Sequence, residues 1–379
     1  MKNEESDSSK NIPDIRNFLE GFNTDHEFKK RMAGDYTISR RLLYDTINDR
    51  TKIKDIEPII KIMDSNFAVK GDFSIVGGLP KVGKTTICAF MIATAFMEVI
   101  PDNFDSLGIR TKFCEGKPVV YFDTEQPSAY TNKLRIQIKK MLGVKFQPDN
   151  LHIINLRKYN SVDKAKIVFA WMNEVPDAHL WIVDGVADLI QDPNNTEQAF
   201  QIIEKFMMMT DRLHTSVVLH LHENPGGGKL RGNLGSEAER KCGGAITLKK
   251  NKSEGTHSIE PKVIRGSEDF PDILFKWDKE IGGFRSLYED EIESYKKKTD
   301  NKASTLEKRV KLAKQITLNG KETVQYKELV NRIIQHSGDI EGHTLSESSA
   351  KIRIKEMYEK LGILDKDDLG KYKYIYKEE

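Results

Sequence analysis

Cysteine is scarce in this chain of 379 residues. Cys88, Cys114 and Cys242 stand far apart and form neither a pair-rich disulfide framework nor a CxxC metal pattern, so a reducing, cytoplasmic setting is expected. Long apolar runs are missing as well: the longest, Ile87 to Ile100, contains Glu98 and falls short of the roughly 20 residues a membrane span needs. The opening MKNEESDSSKN lacks the apolar core of a secretory signal, so neither membrane nor export is indicated. Nor is there an excess of one charge. Sixty Lys plus Arg against 58 Asp plus Glu leave +2, which excludes a uniformly basic, histone-like binder. What is abundant is charge of both signs, 31% of residues beside 38% hydrophobic, the composition of a soluble globular protein large enough for two or three domains.

Composition divides the chain into four stretches. Residues 1–52 are polar and charged apart from Ile15, Phe18, Leu19 and Phe22, whose spacing predicts a short amphipathic helix in a flexible arm. From 53 to 288, short β-branched runs alternate with helical patterns, which predicts an α/β fold with a mostly parallel sheet flanked by helices. Five strands are expected at Phe73 to Val76, Val119 to Phe122, Leu180 to Val183, Ser216 to Leu221 and Ala245 to Leu248, with an antiparallel addition at Ile259 to Arg265 and Ile273 to Trp277. Residues 289–303, with YKKKTDNK, are expected to be a polar linker. Residues 304–379 predict three helices and a small hairpin, the outline of a winged-helix module. Its third helix, Ser348 to Leu361, would turn Lys351, Arg353 and Lys355 outward, toward DNA or toward a protein partner.

The segment Gly78, Leu79, Pro80, Lys81, Val82, Gly83, Lys84, Thr85 fits GxxxxGK[ST] between a strand and an apolar helix beginning near Thr86. Glycine at both ends lets backbone N–H groups curl around phosphate oxygens, and the helix N-terminus adds partial positive charge. Lys84 would bridge the β- and γ-phosphates of ATP, and the Thr85 hydroxyl would hold Mg²⁺. The apolar run Leu180 to Val183 ends in Asp184, placed to organise the Mg²⁺ hydration shell. A second strand ends in Asp123, Thr124 and Glu125, where Glu125 is the candidate general base toward the attacking water. Arg135, on the helix that follows, is a candidate for stacking on the adenine.

Together GGLPKVGKTT, VVYFDTEQ, LWIVDGVADLI and VVLHLHENPGGGKLRGNLGSEAE resemble the RecA-like ATPases, and within them the RepA-type hexameric helicases of mobilisable plasmids and related mobile-element ATPases. The resemblance spans Ile53 to Phe284. It implies a catalytic role for Glu125 and a γ-phosphate sensor at the end of the fourth strand, with His222 the better match and His220 two residues earlier. The segment after that sensor, Asn224 to Gly235, carries five glycines around Lys229 and Arg231 and suits contact with single-stranded DNA; Arg240 and Lys241 extend the positive stripe. The resemblance further implies a ring, a hexamer, completed in trans by a cation near the last strands. Arg265 and Lys262 come first for that role and Lys249 and Lys250 after them, although the spacing of three departs from the spacing of two in replicative helicases.

The expected function is thus an ATP-hydrolysing DNA helicase or translocase in replication or mobilisation of a plasmid or mobile element, with replication or mobilisation proteins as further partners. The alternative is an ATP-switched loader, recombination or regulatory protein that oligomerises on DNA without unwinding it. A small-molecule kinase would need a lid and an acceptor pocket that the glycine loop does not supply.

Overall fold

A computed structural model of the chain describes residues 47, 51, 55–225 and 228–376; the expected N-terminal arm and its helix lie outside the described residues. The chain divides between Ser286 and Leu287 into two compact units.

In the first unit, β1 (Pro58–Ile62) and β2 (Ser65–Val69) form a hairpin, and β3 (Phe73–Gly78) leads through a tight loop into α1 (Lys84–Ala95). Then come β4 (Ile109–Thr111), β5 (Val119–Asp123), α2 (Ser128–Leu142), β6 (Leu151–Asn155), α3 (Ser161–Glu174) and β7 (Leu180–Asp184). A 3₁₀ turn at Val186–Leu189 precedes α4 (Thr196–Leu213), β8 (Ser216–His220) and α5 (Gly232–Lys241). The unit closes with β9 (Gly244–Asn251), β10 (Thr256–Ile264), β11 (Ile273–Asp278) and β12 (Gly283–Ser286).

The main sheet has nine strands in the order β12-β11-β10-β9-β3-β8-β7-β5-β6. From β9 to β6 every pairing is parallel, and β10, β11 and β12 add antiparallel. This is the expected α/β RecA-like architecture. The apolar runs form strands because both faces are covered. Ile182 and Val218 join the core beneath α1 and α2, whereas Trp181, Val183 and Leu219 join the core beneath α3 and α4. Trp181 stacks on Phe122 with centroids 6.1 Å apart. The strands that sequence patterning passed over are short: β1, β2 and β4 build a separate three-stranded antiparallel sheet, and β6 and β12 are the two edges of the main one.

In the second unit the expected linker is helical. Residues 289–303 open α6 (Glu289–Ile316), a helix of 28 residues. Its first turn holds Glu289, Asp290 and Glu291, which complement the helix dipole, and Glu291 accepts from the Tyr288 N–H at 3.0 Å. From Val310 onward the helix buries Leu312, Ala313 and Ile316 in a core shared with α7 (Tyr326–Glu341) and α8 (Glu347–Lys355), which a single π turn, Glu356–Lys360, extends. The hairpin β13 (Leu364–Lys366) and β14 (Tyr372–Tyr374) completes the unit.

One expected cationic face on α8 does not exist as a face. Residues at i and i+2 point nearly opposite ways on a helix. Lys351 and Lys355 share the outer side, beside Glu347 and Glu359 at 2.6 and 3.8 Å. Arg353 turns inward to Glu341 and Glu356, both 3.3 Å away, where the buried Arg309 also pairs with Glu341 and, at 2.9 Å, with Glu356. Among the described residues no helix is long and apolar enough to cross a membrane.

Candidate active site

The strand order determines which side chains meet. β3, β8, β7 and β5 lie side by side and end on the same rim, where ligands of open α/β sheets bind. Val76 is opposite His220, and Asp123 is opposite Asp184. The β8 end therefore inserts His220 and His222 between the phosphate loop on one side and Asp184 and Glu125 on the other.

The loop from Gly78 to Thr85 is built for close backbone approach. Gly78 and Gly83 have φ of +145° and +107°, values that side chains with a Cβ rarely adopt. A Cβ on Gly78 would also sit 2.6 Å from the Leu248 carbonyl oxygen. Val82 plugs the loop into the core while Pro80 and Lys81 stay outside, and α1 begins at Lys84 with no acid in its first turn. This concave run of N–H groups at a helix N-terminus fits a polyphosphate.

Lys84 is buried. Its ammonium donates to the carbonyls of Gly78 at 2.9 Å and Leu79 at 3.1 Å and lies 3.1 Å from His222 Nδ1. Burial lowers the Lys84 pKa, partly offset by the carboxylates of Asp184, Glu125 and Glu223. An ammonium has only donors, so Nδ1 of His222 accepts. The ring proton then sits on Nε2, which faces Glu125 Oε2 at 3.5 Å. That contact holds the Glu125 carboxyl below its ordinary range, against a smaller upward push from burial. Lys84, His222 and Glu125 thus form one polar chain, from which His220 is absent.

His220 has different work. Burial would raise the Asp184 carboxyl, but His220, Tyr121 and Thr85 hold it below the carboxylate range. Oδ1 accepts from His220 Nδ1 at 2.7 Å, and Oδ2 accepts from the Tyr121 hydroxyl at 2.6 Å and the Thr85 hydroxyl at 2.8 Å. With its Nδ1 proton engaged, His220 leaves Nε2 to accept from the Cys88 thiol, 2.8 Å away. Burial pushes that thiol well above its ordinary pKa, so Cys88 is a packing and hydrogen-bonding group and not a nucleophile. Thr85 and Asp184 bring hard oxygens together, which fits Mg²⁺. No larger cluster of metal-binding side chains occurs among the described residues, and Mg²⁺ bound with a nucleotide needs only one or two such ligands besides phosphate and water.

Sequence patterning missed Tyr121, Gln126 and Glu223. Tyr121 carries a hydroxyl in an apolar strand, the one visible sign of its role. Gln126 donates to Thr85 Oγ1 at 3.1 Å, and its carbonyl accepts from Asn155 at 2.8 Å. Asp123, whose carboxyl burial raises, accepts from the N–H groups of Glu125 and Gln126 and so shapes that turn. Glu223 is buried, accepts from Thr247 at 3.0 Å and donates its N–H to Gly78 O at 3.2 Å.

The glycine-rich loop is closed at its base by the Glu223 and Leu230 pairing and by the Arg231 N–H on His222 O at 2.8 Å. Leu230 packs so closely on Gly77 that a Cβ there would come within 2.8 Å of it. Lys229 and Arg231 are exposed and make no ion pair among the described residues. The extension of this stripe is weaker than expected. Lys241 is held by Glu237 at 2.8 Å and lies over the Phe200 ring, and Arg240 pairs with Glu237 at 2.6 Å.

The remaining candidates are not gathered around Lys84. Arg135 donates to Asn132 on its own helix at 2.9 Å. Lys262 is tied to Glu239 at 3.0 Å and Lys249 to Glu260 at 2.5 Å. Arg265 follows β10 beside Gly243, level with the start of β3, which is the rim opposite the phosphate loop. Lys250 is exposed near the loop rim. A cavity of about 190 Å³ lined by Lys70, Lys117, His179 and His214 also lies at the opposite rim, away from this chemistry.

The fold and this rim define a P-loop nucleotide-binding domain. Residues 40–228 match the family model of the AAA domain, and the chain accordingly carries a P-loop ATPase domain. No curated protein matches the sequence.

Proposed function

We propose that the chain is an ATP-driven DNA translocase or helicase of RecA-like type, acting as a ring in replication or mobilisation of a plasmid or mobile element. The observation that carries this is the polar chain from Lys84 through His222 to Glu125, continuous with the loop that bears Lys229 and Arg231. In this scheme the Lys84 ammonium exchanges loop carbonyls for the β- and γ-phosphate oxygens of ATP. Thr85 and, through a hydration shell, Asp184 would hold Mg²⁺, which would supply neutralisation of phosphate charge. Glu125 takes the proton of the attacking water. His222, bonded to both Lys84 and Glu125, responds when the γ-phosphate leaves, and its backbone carbonyl already holds Arg231. Loss of phosphate at one end of this chain thereby alters the grip on single-stranded DNA at the other.

Arg265, Lys262, Lys249 and Lys250 remain the candidates for a cation presented to a neighbouring subunit's site. The C-terminal unit, three helices and a hairpin, serves as a winged helix toward DNA or a replication protein, with Lys351 and Lys355 as its outward cations.

The test is strand displacement from a forked DNA substrate with ATP, set beside the mass of the protein in solution. Displacement that requires ATP, by a species of about six chains, is expected. ATP turnover stimulated by DNA without displacement would replace the motor by an ATP-switched DNA-binding protein.

A further inference from the structure

The cations already assigned to DNA leave out one strongly basic stretch of the first unit. From Gln126 to Val162 there are seven cations, Lys133 to Lys158, and one acid, Asp149, within a protein whose charges otherwise nearly cancel. None of the seven is in an ion pair among the described residues. The contrast with the pinned Lys241, Lys262 and Arg353 is direct.

Topology concentrates part of this charge on the nucleotide rim. β5 and β6 are parallel neighbours, with Asp123 opposite Asn155, so the start of α2 and the turn after β6 adjoin. Asn155 ties them together by donating to Thr131 Oγ1 and to the Gln126 carbonyl. Two aromatic rings stand out from these segments, Tyr130 and Tyr159, 54% and 38% exposed. Each lies under an ammonium: Lys133 is 4.9 Å from the Tyr130 centroid and Lys158 is 5.1 Å from that of Tyr159. Arg157 is exposed beside them.

We propose that this rim, formed by Tyr130, Lys133, Arg157, Lys158 and Tyr159, is a second contact for single-stranded nucleic acid. It rests on the DNA-motor proposal above and adds to it a surface outside the glycine-rich loop. Unpaired cations match phosphodiester oxygens, and exposed aromatic faces accept unstacked bases, whose faces are hidden in a duplex. An acidic protein partner would use the cations but would leave the rings without a matching group. The rim is wired to the nucleotide site, because Gln126 bonds Thr85 with its side chain and Asn155 with its backbone.

The experiment measures binding of a fluorescent oligo(dT) to the full chain with a non-hydrolysable ATP analogue, over a range of salt. Removing both cations with Arg157→Ala/Lys158→Ala is expected to lower the slope of log affinity against log salt by about 1.4, from roughly 0.7 per phosphate contact. Tyr159→Ala is expected to weaken binding about 10-fold or more, with Tyr159→Phe restoring it, because stacking needs the ring and not the hydroxyl. Nucleotide affinity and thermal melting, measured on the same samples, establish that the variants are folded. If the wild type binds oligo(dT) and the variants bind equally with unchanged slope, the rim contact is wrong while the motor proposal stands. If the cation variant weakens binding but Tyr159→Ala does not, the surface takes an acidic partner or phosphate charge alone, and the base-stacking platform is overturned. A wild type that binds no oligo(dT) overturns the motor proposal itself.

Discussion

The rim of the first unit and helix α8 of the second carry the same kinds of cation in opposite circumstances. At the rim Lys229, Arg231, Arg157 and Lys158 stand without acids, whereas on α8 Lys351, Arg353 and Lys355 each face a carboxylate. Arg353 is the extreme, spent inside its own unit on the cluster with Arg309, Glu341 and Glu356. The lesson is that a cation's place in the sequence does not tell whether it is available. Availability is decided by what the fold puts within about 4 Å of it.

The largest effect is expected at the centre of the rim. Glu125→Gln should keep nucleotide affinity and lower ATP turnover by 100-fold or more, measured as phosphate release; ordinary turnover would remove Glu125 as base. Next, Glu341→Gln should destabilise the C-terminal unit by about 3 kcal/mol in urea unfolding, because it leaves Arg309 and Arg353 short of a counter-charge in a largely buried cluster. Lys351→Ala, on the same helix as Arg353, should leave the urea midpoint nearly unchanged, since exposed pairs contribute little.

Neutralising Lys229 and Arg231 should weaken single-strand binding roughly 10-fold and reduce DNA stimulation of ATP turnover, with nucleotide affinity unchanged. A pH-dependent effect is expected at Glu57, whose carboxyl Lys112 and Lys70 hold down at about 2. A carboxyl depressed in the folded state stabilises above its unfolded pKa, and the contribution fades as pH falls from about 4.5 toward 2. Glu57→Gln should therefore cost about 1 kcal/mol at pH 7, after allowance for solvent screening, and nothing once the pH is well below the folded-state value of about 2.

The nucleotide loop was legible because its chemistry is local. Gly78, Gly83, Lys84 and Thr85 act through backbone shape and helix position, which a contiguous pattern carries. Asp184 and Asp123 each end an apolar strand, which leaves a mark in the sequence, and Glu125 follows Asp123 by two residues. The roles of His220 and His222 could be divided only by geometry, since two residues apart they meet different partners. Tyr121 and Gln126 work through partners 63 and 41 residues away in the chain, at Asp184 and Thr85. The edge strands β6 and β12 were missed because one side of an edge strand has no neighbour to demand an unbroken apolar run. The start of α6 looked like a linker because its polar residues serve a solvated helix, with Glu293 and Lys297 pairing across one turn at 3.6 Å. Arg353 was placed outside by grouping it with Lys351 and Lys355, a grouping that helical geometry forbids.

In the proposed mechanism, phosphate occupancy at Lys84 and grip on DNA at the same rim are joined through His222. The direct measurement is the affinity of the full chain for oligo(dT) with a non-hydrolysable ATP analogue and with ADP, in the wild type and in His222→Ala. Affinities at least 10-fold apart are expected in the wild type, and nearly equal ones in the variant. Equal affinities in the wild type, or a difference that survives loss of the His222 ring, would contradict that mechanism.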